Sequence, residues 1–398
     1  MPWSRDGRAG VIRVVHAYNL HRRGGGSDDG TLATVRLQRA AGLDVETFSR
    51  DSRELKPGLR GEVSAFINGL YASGAVRQFA ALLEASKPDV VHAHELFPLL
   101  SPWILPEATR RNVPVVMSCF DYRLTCPVVT HFSDGGVCTK CLGGREYQAV
   151  LRNCRGRRAE SFAYALRSLL ARRFDLYRRH VRAFVTPTEF SSHWLVSHAD
   201  IAPERVLTVP YATELVPEGP VEHSTGRYIG FAGRIAPEKG VDLLIRAARL
   251  AQVPVAIAGG TTSYPGADGV ENVQLVPGWG AEPMRQFYRN ARAIVVPSLW
   301  FETYPLVISE AMSHGLPVIA SRLGALAEVV RDGVDGLLFE PGNATDLAEK
   351  LVRLWSDSEL CRRLGRAGRE RIRRTSSPRA HLDGLMNAYR VAGVAITG

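Results

Sequence analysis

The sequence predicts an α/β fold of two domains, each a parallel sheet wound with helices, and three observations carry this. The chain has 398 residues, more than one ordinary hydrophobic core holds. Short apolar runs of strand length recur and are followed by amphipathic stretches of helical period, the pattern of βαβ units. Neither a run of 18 apolar residues nor a repeat of solenoid length interrupts that alternation. Hydrophobic residues at 45% and charged residues at 23% fit a packed globular protein and argue against general disorder.

The first domain opens with Val11–His16 (VIRVVH), a strand that leads into Gly24, Gly25 and Gly26. A helical stretch from about Asp28 to Ala41 and the next strand, Leu43–Phe48, complete a βαβ unit with a glycine-rich first turn. Such a turn lets the backbone approach a phosphate closely, and it reads equally as a flexible surface loop. It lacks the G-x-G-x-x-G spacing, so a nicotinamide cofactor is not expected. Lys87–His94 (KPDVVHAH) and Asn112–Ser118 (NVPVVMS) read as further strands, with His92, His94 and Asp121 as polar residues at strand ends.

Cys126, Cys138, Cys141 and Cys154 follow as a C-x11-C-x2-C-x12-C series. The central Cys-x-x-Cys is a chelating spacing used by tetrahedral thiolate sites, which makes a structural zinc one reading. Buried thiols or a redox-sensitive dithiol are the others. Cys119 and Cys361 read as core thiols.

Charge is unevenly placed. Between Arg145 and Arg182 stand eleven arginines and three acids, a net +8 of the chain's formal +10. Phe162, Leu166, Leu169, Leu170, Tyr177 and Val181 recur through it at helical spacing, giving an apolar face expected in the core and a basic face. The basic face is either solvated or meets an anionic membrane surface or a lipid diphosphate. Nucleic acid is not expected as a partner, since no recognised binding module is present.

A linker is expected near Val216–Thr225, where Pro, Gly and Glu interrupt the patterns, so the domains are assigned residues 1–215 and 216–379. The second domain begins with a strand, Arg227–Ala232 (RYIGFA), then a turn at Gly233 and Arg234 and an amphipathic helix, Gly240–Leu250. Lys239 stands at the start of that helix, where a cation opposes the dipole. A diphosphate bound between Arg234 and Lys239 would account for it, although either cation alone also reads as a solvated side chain. No P-loop is present.

Ala293–Pro297 (AIVVP) is a short apolar run that reads as a strand buried on both faces. Pro305 suits a first helical turn, and Leu306, Ile308, Ala311 and Met312 continue at helical spacing to a stop at Gly315. Glu302 therefore lies in the loop ahead of a helix and Glu310 on its body, with seven residues between them. The free N–H groups and positive dipole end of that helix favour a phosphate, and carboxylates beside it can accept hydrogen bonds from sugar hydroxyls.

GRIAPEKG at Gly233–Gly240, the Glu302-x7-Glu310 pair and the stretch Ser313–Asn343 together resemble glycosyltransferase family 4, retaining enzymes of the GT-B fold. The resemblance covers nearly the whole chain and is densest from Gly230 to Lys350. It implies two Rossmann-like domains with parallel sheets facing an interdomain cleft, and a last helix, around His381–Val391 within residues 380–398, that packs back on the first domain. It implies that Arg234 and Lys239 hold the donor diphosphate, that Glu310 binds the ribose and that Glu302 lies by the transferred sugar. Gly233, Tyr304, Pro305 and Leu306 complete the donor set on the second domain, and Gly25 and Gly26 match a pair that faces donor and acceptor. Relatives often carry His before Asp-Tyr-Arg or its equivalent, where this chain has Phe120-Asp121-Tyr122-Arg123. Asp121, His92 or His94 is then the candidate to touch the transferred sugar, and Asp121 joins Arg234, Lys239 and Glu302 in the catalytic set. A subset of relatives carries similar cysteines after Tyr-Arg.

The expected activity is transfer of a hexose-like sugar from a nucleoside diphosphate to a hydroxyl acceptor, with retention and with no cofactor required for catalysis. Polysaccharide or glycoconjugate synthesis is the expected setting, with a natural-product glycosyltransferase, a sugar-nucleotide epimerase of the same fold and a silent binding protein as alternatives. The polar N-terminus MPWSRDGRAG, with no apolar stretch behind it, sets the expected location as cytoplasmic, with contact at the inner membrane face.

Overall fold

The structure, a computed structural model, describes residues 4–5, 11–22, 25–213, 226–261, 263–276 and 280–397. The linker expected near Val216–Thr225 and Gly24 of the glycine turn lie outside these residues. The chain divides into two compact units, one of Met1–His131, Thr139–Ala212 and His381–Gly398, the other of Phe132–Cys138 and Thr213–Ala380.

The first unit is built on six parallel strands in the spatial order Asp44–Asp51, Arg13–Leu20, Val90–Ala93, Val115–Ser118, Ala183–Thr186 and Val206–Thr208. The order reverses between Arg13–Leu20 and Val90–Ala93, which are neighbours in the sheet. Successive side chains point to opposite faces, and both faces are covered. Val15, Ala17 and Val91 join Phe79 and Leu105 on one side, while Val14, Val90 and Val116 join Leu385, Met386 and Tyr389 of the final helix, Pro378–Val391, on the other.

The first strand runs to Leu20, four residues past the expected end at His16. Polar residues extend it because each finds partners inside the fold. The backbone N–H of Asn19 donates to the Glu95 carbonyl at 2.6 Å, and its side-chain amide donates to Ser52 Oγ at 2.8 Å.

The arginine-rich stretch corrects an expectation. Its helix spans Arg158–Arg173 and buries the small residues Ser161, Ala165 and Ala171, whereas Phe162 is 52% and Leu169 40% exposed. Tyr177 and Val181 are buried, but they lie beyond the helix end, so the six apolar positions do not form one core face. Small residues let the helix sit close, and close approach turns the large side chains outward.

The second unit carries six parallel strands in the order Val273–Val276, Val255–Ala258, Tyr228–Ala232, Ala291–Val296, Val318–Ser321 and Gly336–Phe339. Here the order reverses between Tyr228–Ala232 and Ala291–Val296. The helices Val241–Ala251 and Ala344–Ser356 pack together and bury Leu244, Ala247, Leu347 and Leu351 against Ile257 and Phe339. Each such fully buried leucine contributes about 1.5–3 kcal/mol. Sheets of this kind bind ligands beyond the carboxyl ends of their strands, at the point where strand order reverses. The residues after Ala232 and after Val296 therefore mark where to look.

Among the described residues, no helix is long and apolar enough to cross a membrane.

Candidate functional site

After Ala232 the chain turns through Gly233 and Arg234 into a short 3-10 turn, Pro237–Lys239, and then the helix Val241–Ala251. Gly240 joins the two with φ 70°, and a Cβ there would stand 2.0 Å from the Pro297 carbonyl oxygen. Only glycine permits that approach. The Leu299 N–H donates to the Glu238 carbonyl at 2.8 Å. The turn after one strand is thus stitched to the loop after its neighbour, at the reversal of strand order.

Within this junction Lys239 Nζ donates to Glu302 Oε1 at 2.7 Å, and Ser298 Oγ donates to the same oxygen at 2.6 Å. The Lys239 ammonium also stands 5.1 Å from the Trp300 ring centroid. Glu302 is 5% exposed. Burial pushes its carboxyl up, but the Lys239 charge and the hydrogen bonds from Lys239 and Ser298 outweigh burial and hold it below the usual carboxylate range. Arg234 donates to Glu238 Oε1 at 3.2 Å and keeps most of its side chain in solvent.

The helix ahead of which Glu302 lies spans Leu306–Ser313. Pro305 is its capping residue rather than part of its first turn, no side chain caps it, and the Ile308 N–H donates to the Pro305 carbonyl at 2.9 Å, so the N–H groups of Leu306 and Val307 are the ones placed for an anion. Tyr304 is buried beside it. Glu310 is exposed on the helix body and accepts from Tyr288 OH at 2.5 Å. Burial, the Glu310 charge and that hydrogen bond raise the Tyr288 phenol well above its ordinary value, so it stays a donor.

The first unit holds a second charged group at the ends of its central strands. Arg123 is ion-paired to both Glu95 and Asp121, with its side chain 7% exposed. Burial and the Glu95 charge push the Asp121 carboxyl up to about 6 against the pull of Arg123. In Glu95, burial is overcome by Arg123 and the carboxyl falls. His21 donates to Asp28 Oδ1 at 2.9 Å, and this bond raises its pKa against burial. Gly25, with φ 144°, leads into the helix Gly26–Ala40 just beyond His21.

His92 and His94, alternatives to Asp121 in the sequence, are fully buried and form a hydrogen-bonded chain instead. Gln38 sets its direction. His94 Nε2–H donates to His16 Nδ1 at 2.8 Å and His16 Nε2–H to Gln38 Oε1 at 3.0 Å. The Gln38 amide donates to Tyr389 OH at 2.7 Å, Tyr389 to His92 Nδ1 at 2.8 Å, and His92 Nε2–H to Ser118 Oγ at 2.8 Å. Burial lowers the pKa of all three imidazoles, so the chain is neutral.

The ligand atoms of these three imidazoles lie within 4.8 Å of one another. Cys126, Cys141 and Cys154 belong to the first unit, and Cys138 falls in the short segment grouped with the second. Cys126 is buried, which pushes its thiol up.

The structure therefore brings Lys239 and Glu302 into contact, ties Arg234 into the same turn, and leaves Glu310 to Tyr288. Sequence reasoning missed Ser298, Tyr288, His21, Glu95 and Arg123. Arg123 carried a signal, since a basic residue two positions past Asp121 can fold back on it, as its N–H and Nε do at 2.9 Å.

A family model described as "Glycosyl transferase 4-like domain" matches residues 25–212, and one described as "Glycosyl transferases group 1" matches residues 215–371. "D-inositol 3-phosphate glycosyltransferase" of Saccharomonospora viridis is 31% identical over 245 residues, 54% of this chain and 56% of that protein. The chain spans about half the length of the curated relatives it matches. Among solved structures, sucrose-phosphate synthase from Thermosynechococcus elongatus superposes with a TM-score of 0.68 at 18% identity, over 95% of this chain and 98% of that one. The Anabaena protein HepE, solved in complex with UDP, gives 0.65 at 16%, over 95% and 100%. Two parallel six-stranded sheets with these neighbours constitute the GT-B fold. With the two matched regions following one another along nearly the whole chain, the protein belongs to the glycosyltransferases of the family 4 type.

Proposed function

We propose that this glycosyltransferase moves a hexose-like sugar from a nucleoside diphosphate to a hydroxyl acceptor with the anomeric configuration retained. The contact of Lys239 with Glu302 at the reversal of strand order carries the reading. In it, Lys239, Arg234 and the first N–H groups of Leu306–Ser313 hold the diphosphate, with Gly233, Tyr304, Pro305 and Leu306 around them. Glu310 accepts from the ribose, and Glu302 lies beside the sugar. Gly25, Gly26 and Asp121 act from the first unit. HepE, which was solved with UDP, supports a nucleotide donor.

As the bond from the anomeric carbon to the phosphate oxygen breaks, negative charge grows on the leaving diphosphate. Cations already in place stabilise that charge without reorganising. The acceptor oxygen bonds to the same carbon on the same face, and its proton passes to a diphosphate oxygen. The stabilising charges are the chain's own, so the reaction as proposed requires no metal ion.

The acceptor is proposed to be a growing glycan on a lipid carrier, met in the cytoplasm at the inner membrane face. The outward Phe162 and Leu169 support this, together with the exposed Phe66 and Ile67 on the contacting helix Leu59–Leu70 and the surrounding arginines. Each basic side chain at an anionic surface adds about 1 kcal/mol. A structural zinc at Cys126, Cys138, Cys141 and Cys154 rests on spacing and resemblance, and zinc content of the purified protein, one per chain or none, decides it.

The test is to incubate the protein with a panel of sugar nucleotides, with and without a membrane lipid extract. Acceptor-dependent diphosphate release that falls about 100-fold or more in Lys239→Ala supports the proposal. Epimerised donor without an acceptor, or binding without turnover, overturns it.

A further inference from the structure

Trp300 adjoins both charged members of the donor junction, Lys239 and Glu302, and the transfer as proposed gives it no task. It lies two residues ahead of Glu302, on the loop that the Leu299 N–H ties to the Glu238 carbonyl, next to Lys239. Its side chain is half-buried, and its ring and its N–H meet different groups. The ring centroid is 5.1 Å from the Lys239 ammonium, within the reach of a cation–π contact. The indole N–H is buried and closes no hydrogen bond, yet it lies close enough to Glu302 to help lower that carboxyl.

A buried N–H left unbonded costs free energy, and here it does so beside a carboxylate. Competition explains this. Lys239 and Ser298 both bond Glu302 Oε1, at 2.7 and 2.6 Å, and a cation prevails over a neutral N–H for an anion. A diphosphate carries more negative charge than the carboxylate and draws the same ammonium. Glu302 is 5% exposed, so water cannot readily replace what it gives up. A buried anion whose cation is drawn away is strongly destabilised unless another donor closes on it. The indole N–H is the donor in place for that.

We infer that Trp300 is a positioning residue of the donor site: its ring keeps the Lys239 ammonium in place as that ammonium turns from Glu302 to a diphosphate, and its N–H then closes on the Glu302 carboxylate. Glu302 thereby stays ionised and fixed beside the sugar while its cation is shared. The inference rests on the proposed contact of Lys239 with the donor and adds the means by which one lysine serves two anions in turn.

The experiment follows the indole N–H signals of the labelled intact protein by NMR, with UDP as the probe. The chain has six tryptophans, and the signal missing from Trp300→Phe is that of Trp300. Saturating UDP is expected to move this signal downfield, as bonding to a carboxylate does, and ligand-free Lys239→Ala is expected to show it there already. In transfer assays, Trp300→Phe keeps the aromatic face and loses the N–H, so the donor KM should stay within about twofold while kcat falls about tenfold. Trp300→Leu loses the face as well and should also raise KM about threefold. A Trp300 signal that stays in place with UDP bound, or in ligand-free Lys239→Ala, overturns the inference, as does a kcat in Trp300→Phe equal to that of the parent. UDP that does not bind the parent overturns the donor reading instead, and the ligand-free Lys239→Ala spectrum still decides whether the indole closes on Glu302.

Discussion

Tyr288 donates its phenolic proton to Glu310 at 2.5 Å, across two helices separated in sequence by the whole of the strand Ala291–Val296. The bond fixes the carboxylate of an otherwise exposed glutamate before any ligand arrives. Tyr288→Phe is expected to raise the donor KM about tenfold with little change in kcat, the pattern of an interaction made equally in the ground and transition states. Steady-state kinetics with donor varied would show it, and an unchanged KM would mean that Glu310 needs no such support.

Lys239→Ala leaves the Glu302 carboxylate buried without its cation. Removing one partner of such a pair costs about 3 kcal/mol, whereas removing both costs less. Urea unfolding of Lys239→Ala, Glu302→Ala and the double variant should show the double variant more stable than Lys239→Ala alone. Strictly additive losses would mean that the pair is not coupled in solution.

Gly240→Ala forces a methyl group against the Pro297 carbonyl at a left-handed φ. A loss of about 2 kcal/mol or more is expected, together with loss of donor binding as the stitched turn and loop separate. Thermal melts with and without UDP would measure both.

The buried imidazoles predict acid sensitivity. A group whose folded pKa is depressed contributes stability that is present above its unfolded value and lost as pH falls through the folded one. For His16, from the ordinary 6.5 down to about 4, this is about 3 kcal/mol. His92 and His94 act in the same direction. Asp121 works oppositely, since its carboxyl, raised from 3.8 to about 6, favours the fold at low pH and loses that contribution as pH rises from 3.8 through 6. Three imidazoles against one carboxyl should make denaturant stability fall between pH 6.5 and 4. A flat profile there would show the trio to be hydrated.

What the sequence disclosed follows from how far apart the interacting residues lie. The run AIVVP and the helical spacing of Leu306, Ile308, Ala311 and Met312 are local patterns, and the strand Ala291–Val296 and helix Leu306–Ser313 overlap them closely. Lys239 drew notice because a cation there opposes a local dipole. Tyr288 gave no sign, since its partner is set by the packing of two helices. The bond from His94 to His16 needed the register that places His16 opposite His92 on parallel strands, which periodicity does not encode. Phe162 and Leu169 misled for the converse reason: a helical apolar stripe says that some surface wants covering, not which side of the helix lies against its neighbours.

The imidazole chain also sets an order of events in synthesis. Its amide and its phenol, Gln38 and Tyr389, lie 351 residues apart, and the phenol sits on a helix translated after the second unit. A nascent chain therefore carries the strand of His16 with its inward polar groups incompletely answered until the helix Pro378–Val391 leaves the ribosome. Completion of the first unit waits on translation of the second.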